Sequence, residues 1–295
     1  MSPTYPGVYI EEVPSGVRTI TGVPTSITAF VGVAARGPVT DPVFINSYAD
    51  YERTFGRLGP DNPMAYSVFH YYQNGGSQAI IVRIAGAGAA PATITLDTGA
   101  GADVVLAATS SGSWGAQLRA RVDYADAAAN EYNLTIRDMA TGEQERYARV
   151  SIDPASPRRL DRMLESSALV TSTGALDQRA VNHPDPATPG ADPLNPGGGV
   201  TNTYTQAAAG AAGAAIGEAD FIGNEASKTG MYQLLKTDIF NILVFAPLGV
   251  TELVTPTEGD PQFVTDNVLS RALTLCYNRR AMLVVDSPAG WETVQ

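Results

Sequence analysis

The chain has 295 residues, 44% of them hydrophobic, enough to bury one large core or two to three smaller ones. Its formal net charge of −11 gives a surface that repels phosphate backbones, which argues against nucleic acid as a partner. A single cysteine, Cys276, precludes an intrachain disulfide, Glu11 and Glu12 stand where a secretory apolar region would lie, and no run of 18 apolar residues exists to span a membrane. These features predict a soluble protein made and assembled in the cytoplasm.

The first segment, Tyr5-Pro6-Gly7-Val8-Tyr9-Ile10-Glu11-Glu12-Val13, alternates Val8 and Ile10 with Tyr9 and Glu11. It reads as an extended arm over residues 1–20 that can pair as a strand with the sheet edge of another subunit. Gly7, Pro14, Gly16 and Gly22 supply hinges or turns. Ser26 to Ala34 is the apolar run of a buried strand, and Arg36-Gly37-Pro38-Val39 turns the chain. A helix is expected from Tyr48 to Phe55-Gly56. A second follows the N-cap Asn62 and Pro63, carries Met64, Val68 and Tyr71 or Tyr72, and ends at Gly75-Gly76. Gln78 to Ile84 is then a buried strand, which gives a β-α-α-β unit in a parallel or mixed sheet.

Gly86 to Pro91 marks a boundary, after which the period changes to two. Strands are predicted at Ala92–Asp97, Asp103–Ala107, Leu118–Asp123, Tyr132–Arg137 and Arg146–Ile152, with Met139 to Gly142 as a hairpin turn. Ser156-Pro157 opens a short helix with Leu160, Met163 and Leu164 on one face. Asp177 to Thr205 has no period and reads as a surface loop or mobile insertion on which little buried surface depends. The Ala-Gly stretch Gln206–Gly217 reads as a loosely packed helix or an ordered linker. The apolar strand Ile239–Ala246, the helical repeat Phe263 to Cys276 and the apolar strand Ala281–Asp286 form a βαβ unit with a right-handed crossover. The chain stops at Gln295 soon after Trp291, so this α/β domain is expected to be incomplete, with an exposed apolar face and sheet edge. The organisation predicted is an arm (1–20), the first part of an α/β core (21–90), an inserted outer β domain with its long Pro/Gly loop (91–205), and the start of a further α/β region (206–295).

The residues give little support to catalysis. The chain has two histidines, His70 in an aromatic helix and His183 in a loop, and neither has a second metal ligand at zinc spacing. Asp286 and Ser287 sit at a strand's carboxyl end, but no histidine lies in that half of the chain to serve them. Gly223 to Thr229 resembles a phosphate loop, yet Ser227 occupies the position where Gly must precede Lys-Thr. Glu11 and Glu12 are neighbours on an alternating strand and point to opposite faces. Cys276 reads as a buried structural thiol, Trp114 as a turn anchor, and Arg279-Arg280 as positive charge for a helix C-terminus. No cofactor and no metal are expected.

Several segments, in order, resemble contractile tail sheath proteins from phage tails, R-type bacteriocins and phage-tail-like injection systems. The family pattern "PGVY-EE" followed by "TS-TAFVG-A--GP" is matched by Tyr5 to Glu12 and by Thr25 to Pro38. Tyr71 to Arg83 is similar to its helix, Gly-Gly turn and strand. Ser113-Trp114-Gly115-Ala116-Gln117-Leu118 resembles "GxWGNxL", with Gln117 where Asn is expected. Phe221-Ile222-Gly223 and Lys228-Thr229-Gly230-Met231-Tyr232 resemble "D-IG----KTG-Y", and Asp238–Leu243 and Tyr277–Asp286 resemble parts of its subtilisin-like domain.

The resemblance implies a mixed α/β fold: a sheath-type, subtilisin-like core truncated at the C-terminus, an inserted antiparallel β domain and an N-terminal linking arm. It implies a structural protein, not an enzyme. Subunits in six-membered rings would polymerise helically around an inner tube and contract to drive that tube through a target envelope. Partners would be other sheath subunits, the tube protein, and baseplate and tail-cap proteins, in a virion tail or tail-like particle assembled in the bacterial cytoplasm. A virion or baseplate binding module built on residues 92–205, and an α/β hydrolase-like enzyme, are the alternatives. The first needs a groove lined by exposed Trp and Tyr, the second a convergent Ser/His pair.

Overall fold

The computed structural model describes residues 26–99, 101–246 and 266–285. The arm Tyr5–Val13, the hinge glycines Gly16 and Gly22, and Phe263, Asp286, Ser287 and Trp291 lie outside the described residues.

The described chain is a mixed α/β structure built on three sheets. Five strands form the first: β1 (Thr28–Gly32), β2 (Val43–Ile45), β3 (Ala79–Arg83), and two from the C-terminal part, β11 (Ile242–Phe245) and β12 (Met282–Val284). Their order is β12-β11-β1-β3-β2, with every pairing parallel except β2 on β3. Every residue of β1 and β3 is buried, which is why their sequences are continuous apolar runs and not alternating ones.

Helices cover both faces. α1 (Tyr48–Phe55) and α2 (Pro63–Gln73) pack on Phe30, Ala79 and Ile81. The other face, with Ala29, Val31, Ile80, Val82, Leu243 and Phe245, is covered by α4 (Glu218–Ile222), a 3-10 turn at Gly230–Lys236 and α5 (Asp266–Arg279). α1 starts where Ser47 Oγ accepts from Asp50 N at 3.1 Å. Asn62 is the N-cap residue of α2, with Pro63 first in the helix as the sequence suggested, but its side chain makes no capping bond. Its side chain turns back instead: Nδ2 lies 3.0 Å from the carbonyl oxygens of Phe55, Gly56 and Arg57, closing the end of α1. Its Oδ1 accepts from Tyr51 Oη at 2.7 Å.

The remaining strands form two antiparallel sheets on one core. β4 (Thr93–Leu96), β5 (Val104–Ala108) and β9 (Val170–Ser172) make one. β6 (Leu118–Asp123), β7 (Glu131–Asp138), β8 (Gln144–Ser151) and β10 (Thr205–Gln206) make the other, in the order β10-β6-β7-β8. Ile94, Leu106, Leu118, Leu134, Ile136 and Val150 meet between them. The hairpin at 139–142 joins β7 to β8, with Arg137 opposite Gln144. The helix after Pro157 is short: α3 (Leu160–Met163) runs into a 3-10 turn at Leu164–Ser166.

Of the two readings of Gln206–Gly217 the ordered linker holds and the helix does not: after β10 (Thr205–Gln206) the segment runs extended beside residues 86–91, where Ala90 and Ala211 exchange both backbone bonds, at 3.0 and 2.9 Å. A Cβ on Gly86 would fall 1.9 Å from the Ala214 carbonyl oxygen, so the Ala-Gly composition serves close backbone approach. Residues 177–205 are no loose insertion. Ala180, Leu194, Thr203 and Tyr204 are buried, and arginines of β6 and β7 pin the segment down. Arg121 donates to the carbonyls of Pro184 and Thr203, each at 2.8 Å, and to Asp185 Oδ1 at 2.6 Å. Arg119 donates to Leu194 O at 2.5 Å, and Arg137 is bonded to Asp192.

Candidate functional site

The predicted arm and hinges lie outside the described residues, so the site that the structure builds is a different one: the junction between the five-stranded sheet and the antiparallel sheets. Its centre is Arg83, the last residue of β3, which is 4% exposed. A charge inside the apolar run Ile80 to Ile84 is the signal that could have marked it, but the run by itself reads only as a buried strand. Arg83 Nε donates to Ala34 O at 3.0 Å, Nη1 to Gly37 O at 2.6 Å and Nη2 to Ser111 O at 2.8 Å. One guanidinium thereby ties the end of β3 to the turn after β1 and to the turn before β6. Among the described residues no carboxylate pairs with it; burial draws its pKa down to about 10, with Tyr51 opposing.

Around Arg83 two motifs converge. Gly37 N donates to Ser110 Oγ at 2.9 Å, and Trp114 Nε1 donates to the same hydroxyl at 3.1 Å. The Arg36 guanidinium lies 5.7 Å from the Trp114 ring centroid, its Nη2 donates to Arg53 O at 2.9 Å, and its Nη1 is 3.6 Å from Glu143 of the β7–β8 hairpin. Gly112 has φ 133 and passes so close that a Cβ would meet Ala35 O at 2.9 Å. So Arg36-Gly37-Pro38 and Ser113-Trp114-Gly115, distant in sequence, are two sides of one contact. Beside it opens a cleft of about 660 Å³ whose lining includes Arg36, Glu52, Arg53, Arg57, Trp114 and Glu143.

The other motifs also resolve into structure. In the loop that resembled a phosphate cradle, Thr229 Oγ1 accepts from Asn224 N at 2.9 Å and Thr229 N donates to Asn224 O at 3.0 Å, so backbone groups are spent internally. Gly223 and Gly230, with φ 66 and 59, abut: a Cβ on Gly223 would sit 2.2 Å from Thr229 O. His70 is exposed and stacks edge-on to Phe69. His183 is bonded to backbone and to Thr205, not to a serine beside a carboxylate. Cys276 is buried, and burial pushes its thiol up to about 11, as a structural thiol requires. Arg279 places its positive charge in the last turn of α5, as the sequence suggested, and its Nη2 also donates to Thr237 O and Asp238 O at 2.6 and 2.8 Å. Leu273, Tyr277, Met282, Val284 and Val285 form exposed apolar surface on α5 and at β12. Among the described residues no group of three or more His, Cys, Asp or Glu is arranged to hold a metal, and no helix is long and apolar enough to cross a membrane.

No family model and no curated protein matches the sequence. Solved structures do match. A sheath tail protein from Listeria innocua, 14% identical, aligns with 92% of this chain and 50% of its own, with a TM-score of 0.52. A sheath tail protein from Desulfitobacterium hafniense, 11% identical, aligns with 96% of this chain and 53% of its own, with a TM-score of 0.53. The chain spans about half the length of the solved structures it matches. At these identities the likeness is one of fold, and it is the likeness the sequence motifs implied: this chain has the fold of sheath tail proteins.

Proposed function

We propose that the chain is a contractile tail sheath protein, a structural subunit without turnover. It polymerises with copies of itself around an inner tube and contracts to drive that tube through an envelope. The observation that carries this reading is the shared fold along 92% and 96% of the chain with two proteins whose names say sheath tail. The ordered motifs of the sequence support it independently. In this reading the parallel sheet belongs to a subtilisin-like core, residues 91–205 form an inserted outer domain, and the arm Tyr5–Val13 adds a strand to a neighbour's sheet, with Gly16 and Gly22 as hinges. Baseplate and tail-cap proteins terminate the tube. The exposed apolar surface on α5 and at β12 supports burial in an assembly.

Electron microscopy of the protein expressed alone tests this. Tubes or stacked rings are expected, and a variant lacking residues 1–20 should stay folded but fail to polymerise. Tubes of normal length from that variant would remove the arm from the proposal. A monomer at all concentrations in the undeleted protein, with turnover of esters or peptides, would remove the sheath reading itself.

A further inference from the structure

Residues 177–205 lie as a strap along β6, and one histidine fastens it to the strand's edge. His183 N donates to Val122 O at 3.0 Å, and His183 Nδ1 accepts from Val122 N at 3.1 Å. β10 pairs β6 only at Ala120 and Arg119. His183 therefore continues the edge pairing beyond β10, satisfying both backbone groups of Val122. Its Nε2 lies 2.9 Å from Thr205 Oγ1. Because Nδ1 accepts, the ring proton sits on Nε2 and is donated to Thr205.

Protonation would place a second N–H on Nδ1, facing the N–H of Val122. Arg121, buried under the same strap, adds a like charge. Burial first and Arg121 second hold the His183 pKa below the ordinary 6.5. Other charged groups flanking Val122 and His183 on β6 and the strap include Arg119, engaged by Leu194 and Gln206; Asp123, which accepts from Asn133; Arg179, which lies over the Tyr124 ring; and Asp185, whose side chain is 92% exposed and paired with Arg121. β10, Thr205–Gln206, brings no charge.

We propose that His183 is an acid-operated latch: its protonation breaks the pairing with Val122 and opens the β6 edge there, while Arg119 and Arg121 keep the rest of the strap in place. For a base held neutral by the fold, closure is fully present above the unfolded pKa and is lost as pH falls below it. In the limit where only the released ring takes the proton, opening rises about tenfold at pH 5.5.

The test is amide hydrogen exchange at Val122 in the whole chain, corrected for intrinsic rates, between pH 7.5 and 5.5, with the His183 ring titrated by NMR; only His70 shares that spectral region. Val122 protection should fall up to about tenfold, with a midpoint that follows His183, while Val31 and Ile81 in the parallel sheet stay constant. His183→Asn keeps an acceptor for Val122 N but does not titrate, so its Val122 protection should not vary with pH. The latch is refuted if wild-type protection at Val122 is flat with pH, if it falls equally in His183→Asn, or if His183 titrates without any change at Val122.

Discussion

Replacing Arg83 by Met tests whether the junction is held by one buried guanidinium. The wild-type residue makes three charge-assisted bonds, to Ala34, Gly37 and Ser111, at 3.0, 2.6 and 2.8 Å. At about 1.5–3 kcal/mol each they contribute roughly 5–9 kcal/mol. Holding the charge in a buried site opposes this; a pKa drawn from 12.5 to about 10 corresponds to about 3 kcal/mol. Met keeps much of the volume and removes the desolvation cost, but leaves three carbonyls without their donor. The net loss expected is about 2–6 kcal/mol, with Lys recovering part of it through a single bond. Urea unfolding followed by Trp114 fluorescence, in a Trp291→Phe background, reads the junction directly because Trp114 is bonded to Ser110 within it. A Met variant within about 0.5 kcal/mol of wild type, or more stable than it, would show that the buried charge is no keystone and that the paired linkers with the Ser110 and Arg36–Trp114 contacts hold the antiparallel sheets.

Arg121→Ala should lower stability by about 2–4 kcal/mol and raise protease sensitivity within 177–205, because it strands the Pro184 and Thr203 carbonyls under the strap; unchanged proteolysis would contradict the pinned strap. Gly223→Ala should cost more than about 3 kcal/mol, since φ is 66 and its Cβ would lie 2.2 Å from a backbone oxygen. Gly142→Ala, at φ 79 with nothing within 4 Å, should cost only about 1 kcal/mol, and equal losses in the two melts would refute the close-packing reason for the Gly223–Gly230 pair.

What the sequence revealed depended on how local the cause was. β1, β3 and β6 were legible because burial on two faces or one writes itself into consecutive residues. β2 was not: three residues after Pro42, paired antiparallel at the sheet's edge, carry too little pattern to distinguish them from a turn. Asn62 stood in N-cap position, yet Tyr51 and three carbonyls of the preceding turn outbid α2 for its amide. Composition made residues 177–205 look loose, since Pro, Gly and Asp predict no regular structure. What fastens them comes from arginines far away: Arg121 and Thr203 are 82 positions apart. The motifs around Arg36 and Trp114 were visible one by one, whereas their contact needed Arg83 between them.

That contact bears on how such a subunit could work in a sheath. A domain joined by one linker swings; one joined by two antiparallel linkers bridged at Ala90 and Ala211 loses most of that freedom. Arg83, Ser110 and the Arg36–Trp114 contact then add attachment points away from the linker pair, so rotation about the linkers must break buried bonds. In the proposed lattice this separates two duties. The junction makes each subunit a single lever, and large displacement falls to contacts between subunits, such as the arm. Loosening the junction should therefore blunt the transmission of force without preventing polymerisation, whereas removing the arm should prevent polymerisation without loosening the subunit. An Arg83→Met protein that forms ordered tubes but contracts to a range of diameters is the outcome this reasoning requires; tubes that contract as uniformly as wild type would show that rigidity comes from the lattice and not from the subunit.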